Sequence, residues 1–92
     1  MRIRWTTVAA DDLTTICDYI QEHDGQAQAQ RVALSIHQRI DSLREFPLRA
    51  RAGRVAETRE LVIANLPYLV IYRVKGHVVE IARVLHGAQR WP

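Results

Sequence analysis

Ninety-two residues, 48% of them apolar and 25% charged, predict a single globular domain spanning residues 1–92 and argue against disorder. No apolar run approaches the ~20 residues that cross a bilayer, no basic-then-apolar leader opens the chain, and the single cysteine, Cys17, rules out an internal disulfide framework. A cytoplasmic protein with no membrane partner is expected, and its net charge of +3 hides an asymmetry: residues 1–46 carry five arginines against seven carboxylates, residues 47–92 seven arginines and Lys75 against three glutamates.

In chain order, Met1–Arg4 gives a weak strand signal. Thr6 or Thr7 can cap a helix, because a hydroxyl accepts from the open N–H groups of a first turn. Asp11 and Asp12 suit the positive end of that helix and read as solvated charges. Leu13, Ile16, Cys17 and Ile20 form one apolar face at helical spacing, which makes Cys17 a small buried hydrophobe and no nucleophile. Gly25 ends the helix. A second helix follows over "QAQAQRVALSIHQRIDSLREF", with Ala29, Val32, Ile36, Ile40 and Leu43 as its apolar stripe, and Pro47 stops it. The basic stretch "LRARAGRVAE" reads as a loop or irregular edge. Strands are predicted at "TRELVIA", "YLVIYRV" and "VVEIARVL", joined by turns at "NLP" and "KGH". The expected fold is α+β, in the order β-α-α-β-β-β, with an antiparallel helix pair packed on a small, mainly antiparallel sheet.

Chemistry-bearing motifs are few. His23, His37, His77 and His86 have no ligand spacing with one another or with Cys17, so no metal site is predicted. No phosphate loop, nucleophile elbow or dinucleotide fingerprint occurs, and no cofactor is expected. The arginines are more informative. Arg49, Arg51 and Arg54 fall within six residues of loop, Arg59 opens a strand, Arg83 closes another, and Arg90 and Trp91 lie in the tail beside His86. Arginine's planar fork suits bidentate contact with phosphates and carboxylates, so these eight residues are the candidate target-binding set. A narrower trio, His86 as proton shuttle with Arg83 and Arg59 steadying a phosphorane, would suffice for metal-free RNA cleavage. Solvated arginines paired to Glu57, Glu60 or Glu80 would be the purely structural alternative.

The strings "WTTVAADDL" (5–13), "DYI" (18–20), "TREL" (58–61), "PYLVIYRV" (67–74) and "VEIARVLHGAQRWP" (79–92) together resemble the ParE/RelE toxins of bacterial type II toxin–antitoxin modules. The resemblance implies a plasmid-stabilisation-type toxin neutralised by a cognate antitoxin in a hetero-oligomeric complex. ParE-like members poison DNA gyrase; RelE-like members cleave messenger RNA on the ribosome. RelE-type nucleases carry basic residues where this chain has Glu60, Val62 and Leu69, and His86 alone matches a histidine kept by YoeB-like nucleases. Arg59 and Arg83 fit the ParE-like pattern. The resemblance therefore favours a gyrase inhibitor over a messenger-RNA endonuclease, with an inactive antitoxin-binding remnant as the third alternative.

Overall fold

The first helix, α1 (Thr7–Asp24), starts at a hydroxyl cap in the computed structural model, which describes residues 1–87 and 89–92. Ala88, inside the C-terminal string of the resemblance, lies outside those residues. Thr6 Oγ1 accepts the Ala9 N–H at 3.0 Å, satisfying one donor that the first turn leaves open. Gly25, with φ of 90°, ends α1, and its N–H donates to the Gln21 carbonyl at 3.1 Å. A side chain would strain that backbone, so glycine makes the corner between α1 and α2 (Gln26–Asp41).

The predicted stripe of α2 is the core stripe. Ala29, Val32, Ile36 and Ile40 are buried, and so is Leu43 in the 3₁₀ turn Ser42–Arg44. The regular helix ends at Asp41, short of the predicted stop at Pro47. Glu45 donates to the Ser42 carbonyl three residues back, at 3.3 Å, which tightens the last turn into 3₁₀ form. Burial on α1 is thinner. Only Ala9 and Ile20 are buried, and Leu13 and Ile16 are partly covered. Cys17 is half-buried rather than enclosed; burial, helped by the neighbouring Asp18 charge, pushes its thiol up.

Five strands form the sheet: β1 (Arg2–Trp5), β2 (Arg51–Ala52), β3 (Arg59–Val62), β4 (Tyr68–Lys75) and β5 (Val78–His86). Their order is β1-β5-β4-β3-β2, with β1 parallel to β5 and every other pair antiparallel. The β3–β4–β5 meander is the predicted one. The two-residue β2 lies where the sequence suggests loop, because Arg51 and Ala52 pair with Glu60 and Arg59. Gly53 permits that hairpin: a Cβ there would fall 2.1 Å from Thr58 Oγ1.

The helices cover one face of the sheet. Val70, Tyr72, Val79, Ile81 and Val84 meet Ile36, Ile40 and Leu43 in one cluster. Tyr72 is fully buried, and its hydroxyl donates to the Pro47 carbonyl at 2.8 Å, tying the chain that leaves α2 to the sheet. Trp5 is partly buried against this cluster beside His37, with ring centroids 5.3 Å apart. Strand alternation sends Leu69, Ile71 and Glu60 to the opposite face. Ile71 and Leu85 are nonetheless buried there, at 0% and 2% exposure, although no helix covers them.

A register shift separates Ile71 from Tyr72: their partners are Arg83 and Ile81, and Ala82 is skipped. The bulge falls where β1 ends. Beyond Ile81 the outer edge of β5 has no strand neighbour among the described residues, and Thr6 and Asp12 take over its hydrogen bonding. Thr6 N–H donates to the Ile81 carbonyl and Thr6 Oγ1 to the Ala82 carbonyl, at 3.1 and 3.2 Å. Asp12 accepts the Val84 N–H at 2.9 Å.

Candidate functional site

On the face away from the helices, Glu60 collects the basic loop. Its side chain is 2% exposed, an unusual place for a lone carboxylate. Arg51 Nη2 donates to Oε1 at 3.1 Å, and the Arg54 backbone N–H donates to Oε2 at 3.0 Å, with Arg54 Nε 3.8 Å from the same oxygen. Arg54 reaches in the other direction too: its Nη1 donates to the Trp91 carbonyl at 3.2 Å. One buried carboxylate thus fastens the hairpin loop, and through Arg54 it fastens the C-terminal tail. Both arginine side chains stay more than half exposed, at 57% and 60%, although their heads are drawn to Glu60.

Burial pushes the Glu60 carboxyl up. The Arg54 amide, the Arg51 hydrogen bond and the two guanidinium charges outweigh it and hold the group below the ordinary carboxylate range. A depressed folded pKa contributes stability above the unfolded value of about 4.3, and that stability is lost as pH falls through the lower folded value. Thermal melts between about pH 7 and about pH 2.5 should therefore show an acid-dependent loss that Glu60→Gln flattens. Parallel melting curves for the two proteins would rule out this clasp.

The remaining predicted residues have other duties. Arg83 is held by α1: its Nε and Nη2 donate to the two Asp12 oxygens at 2.8 and 3.0 Å, and this pairing pushes the guanidinium pKa further up. Asp12, read from sequence as a solvated charge, is a half of this bidentate pair, with only 16% of its side chain exposed. Arg59 donates through Nη1 to the carbonyls of Leu48 and Ala50, at 3.3 and 3.0 Å. Arg49 donates to Ser42 Oγ at 2.9 Å. Arg90 is exposed. The fold thus gathers Arg51, Arg54 and Trp91 around Glu60. It sends Arg59 toward the chain after α2 and Arg83 toward α1, on opposite sides of β4, so the trio of His86, Arg83 and Arg59 is not drawn into one cluster.

His86 closes β5 beside Tyr68. Their rings meet edge to face at 5.8 Å, and the His86 N–H donates to Gln89 Oε1 at 2.6 Å. With Thr15, Ile16 and Tyr19 of α1 they line a groove of about 420 Å³. Burial, with smaller contributions from neighbouring acidic groups, pushes the Tyr68 hydroxyl pKa up, so it stays a neutral donor. Sequence reasoning missed Asp12, Glu60 as an organiser, and Tyr19. The tyrosine had a signal: it is a large aromatic on the polar side of an amphipathic helix, 61% exposed.

The sequence model of one family, described as ParE toxin of type II toxin–antitoxin system, parDE, matches residues 3–91. Y4kP of Sinorhizobium fredii is 45% identical over 91 residues, covering 99% of this chain and 93% of that protein. Toxin RelE2 of Caulobacter vibrioides is 42% identical over 88 residues, covering 96% of this chain and 97% of that one. Among solved structures, a chain of the chromosomal ParDE TA system from P. aeruginosa superposes with a TM-score of 0.86 at 27% identity, over 94% of this chain and 95% of that chain.

Proposed function

The chain belongs to the ParE toxin family of type II toxin–antitoxin systems, and from that premise we propose that it arrests growth by binding DNA gyrase, without catalysing a reaction, until its antitoxin captures it. One observation carries the choice of target. A metal-free nuclease of this fold needs cations that hold and activate a scissile phosphate, and an apolar side chain cannot replace them. At the corresponding positions this chain has a buried carboxylate, Glu60, an exposed Val62 and a half-buried Leu69. Arg51 and Arg54 are already paired with Glu60, and Arg39, reaching over from α2, donates to the Val62 carbonyl at 3.4 Å. That arrangement favours adhesion to a polar macromolecular surface over charge stabilisation at a reacting centre.

The proposed contact surface comprises Arg51, Arg54, Arg90, Trp91 and His86, with Arg49 at its margin. Arg59 and Arg83 support it from behind. The antitoxin has two surfaces of suitable character: the basic C-terminal half and the apolar groove beside His86. We propose a flexible acidic or amphipathic segment that orders as it binds.

Purified protein is expected to block gyrase supercoiling and to leave ribosome-bound message intact. Cleaved message with untouched supercoiling would reverse the assignment in favour of the endonuclease reading, for which the pairing of His86 with Tyr68 is the one supporting geometry. His86→Ala separates the roles further. Docking predicts a shift in inhibitory concentration, whereas proton transfer predicts a cleavage rate lower by ~10²–10⁴-fold. Induced expression that leaves growth unchanged would support the inactive remnant.

A further inference from the structure

β4 is longer than the neighbour on one of its sides. Tyr68–Lys75 is paired with β5 at both of its ends, whereas β3 covers only Leu69–Tyr72. The hydrogen-bonding phase on the β3 side is set by Ile63, whose N–H donates to the Tyr68 carbonyl at 3.1 Å. Residues directly opposite in an antiparallel pair alternate between exchanging both bonds and exchanging none. Counting in twos from Tyr68, the residues whose N–H and C=O aim at β3 are Val70, Tyr72 and then Val74. Continued register would set Glu57 opposite Val74. Instead Glu57 has φ of 67°, and the Thr58 N–H turns back to the Val55 carbonyl at 3.2 Å. The hairpin curls away, and the Val74 amide and carbonyl face a cleft of about 450 Å³ lined also by Leu48, Glu57, Arg59, Arg73 and Lys75. An uncovered strand edge of this kind is a template for adding a strand.

The cleft is positive on balance, Arg59, Arg73 and Lys75 outnumbering the one carboxylate in its wall, Glu57. Arg59 spends its hydrogen bonds on carbonyl oxygens, which leave its charge uncompensated. Arg73 and Lys75 lie 3.9 and 3.7 Å from Glu80, which is also paired with Arg4, so three cations share one carboxylate. The Arg73 Nε is shielded from solvent and meets no acceptor. Alternation puts Arg73 and Lys75 on one face of β4 and Val74 on the other, toward the core cluster.

From this edge and its charges we propose that the cleft binds an extended acidic peptide as a short additional strand against β4. The guest residue opposite Val74 exchanges both backbone bonds with it and turns an apolar side chain toward Val74 and Leu48. Its two flanking residues carry carboxylates beside Arg73 and Lys75. The recognised pattern is carboxylate–apolar–carboxylate, and the site stands whether or not gyrase is the toxin's target.

The test uses a fluorescein-labelled ten-residue peptide with Glu-Val-Glu at its centre and Ser/Gly flanks, titrated into the full chain at low salt and followed by polarisation. Saturable binding is expected, with slowed amide exchange at Val74 by NMR. N-methylation of the peptide's central valine removes one strand bond from an otherwise unchanged system and should weaken binding roughly tenfold. The double variant Arg73→Glu/Lys75→Glu should weaken it by at least about tenfold, with circular dichroism confirming its fold. Equal binding of the N-methylated peptide, or of a Lys-Val-Lys peptide, overturns the proposal. So does displacement of the peptide by a single-stranded oligonucleotide when exchange at Val74 is unaffected by the peptide, which would mark a phosphate-binding patch.

Discussion

Asp12→Ala is expected to destabilise the fold by about 2–4 kcal/mol. The carboxylate does two jobs at once. It holds the Arg83 guanidinium bidentately, and it accepts the Val84 N–H at the point where β5 has outrun β1. Alanine leaves a backbone donor open on the sheet edge and a cation with two-thirds of its side chain covered and no counter-charge. At about 4–8 °C per kcal/mol for a domain of this size, the melting temperature should fall by about 8–32 °C. Asp12→Asn keeps an acceptor for Val84 and should cost less. Asp11→Ala, its exposed neighbour, should stay within about 0.5 kcal/mol of the parent. Urea melts that place Asp12→Ala alongside Asp11→Ala would refute the edge-capping role.

The second large effect belongs to α2. Ile36 has 0% exposure at the centre of the helix–sheet interface, and Ile36→Ala should cost about 3–5 kcal/mol in lost transfer energy and residual cavity. Whole-domain stability is about 5–15 kcal/mol, and a chain this short belongs near the lower end. The variant should therefore keep only about 0–2 kcal/mol, populate its unfolded state heavily and lose much of its growth arrest without any change at its contact surface. Leu34→Ala, two residues away and 58% exposed, is the control and should be neutral. A co-expressed antitoxin that binds the folded state in preference to the unfolded one should recover soluble Ile36→Ala protein by mass action. Soluble yield with and without antitoxin measures this directly.

What could be read in advance divides along physical lines. The α2 stripe was legible because its apolar spacing is long and regular, although the helix itself ends at Asp41, before the proline. The meander was legible because β-branched runs are separated by turn residues, Asn65 and Gly76 both taking positive φ. β1 gave only a faint signal, since four residues fix no register and its partner lies 76 positions away. β2 was hidden because a strand of two residues, Arg51 and Ala52, has no period. At the contact surface, residue types were visible and pairings were not. Asp12 and Asp11 look alike locally, and only the tertiary position of β5 tells them apart. Glu60 could be named as a partner for arginine, but alternation alone does not reveal that Arg51 and Arg54, rather than the adjacent Arg59, would claim it.

The parallel union of β1 with β5 also sets an order of events during synthesis. The strand made first and the helix after it both depend on residues 78–84, one for its ladder and the other for the Arg83 clamp. Contacts so distant in sequence form slowly, and here they lack a partner until translation has passed Val84. Until β5 has been made, the helical hairpin lacks the sheet that orients it, so the fold closes only once Val84 has joined the chain.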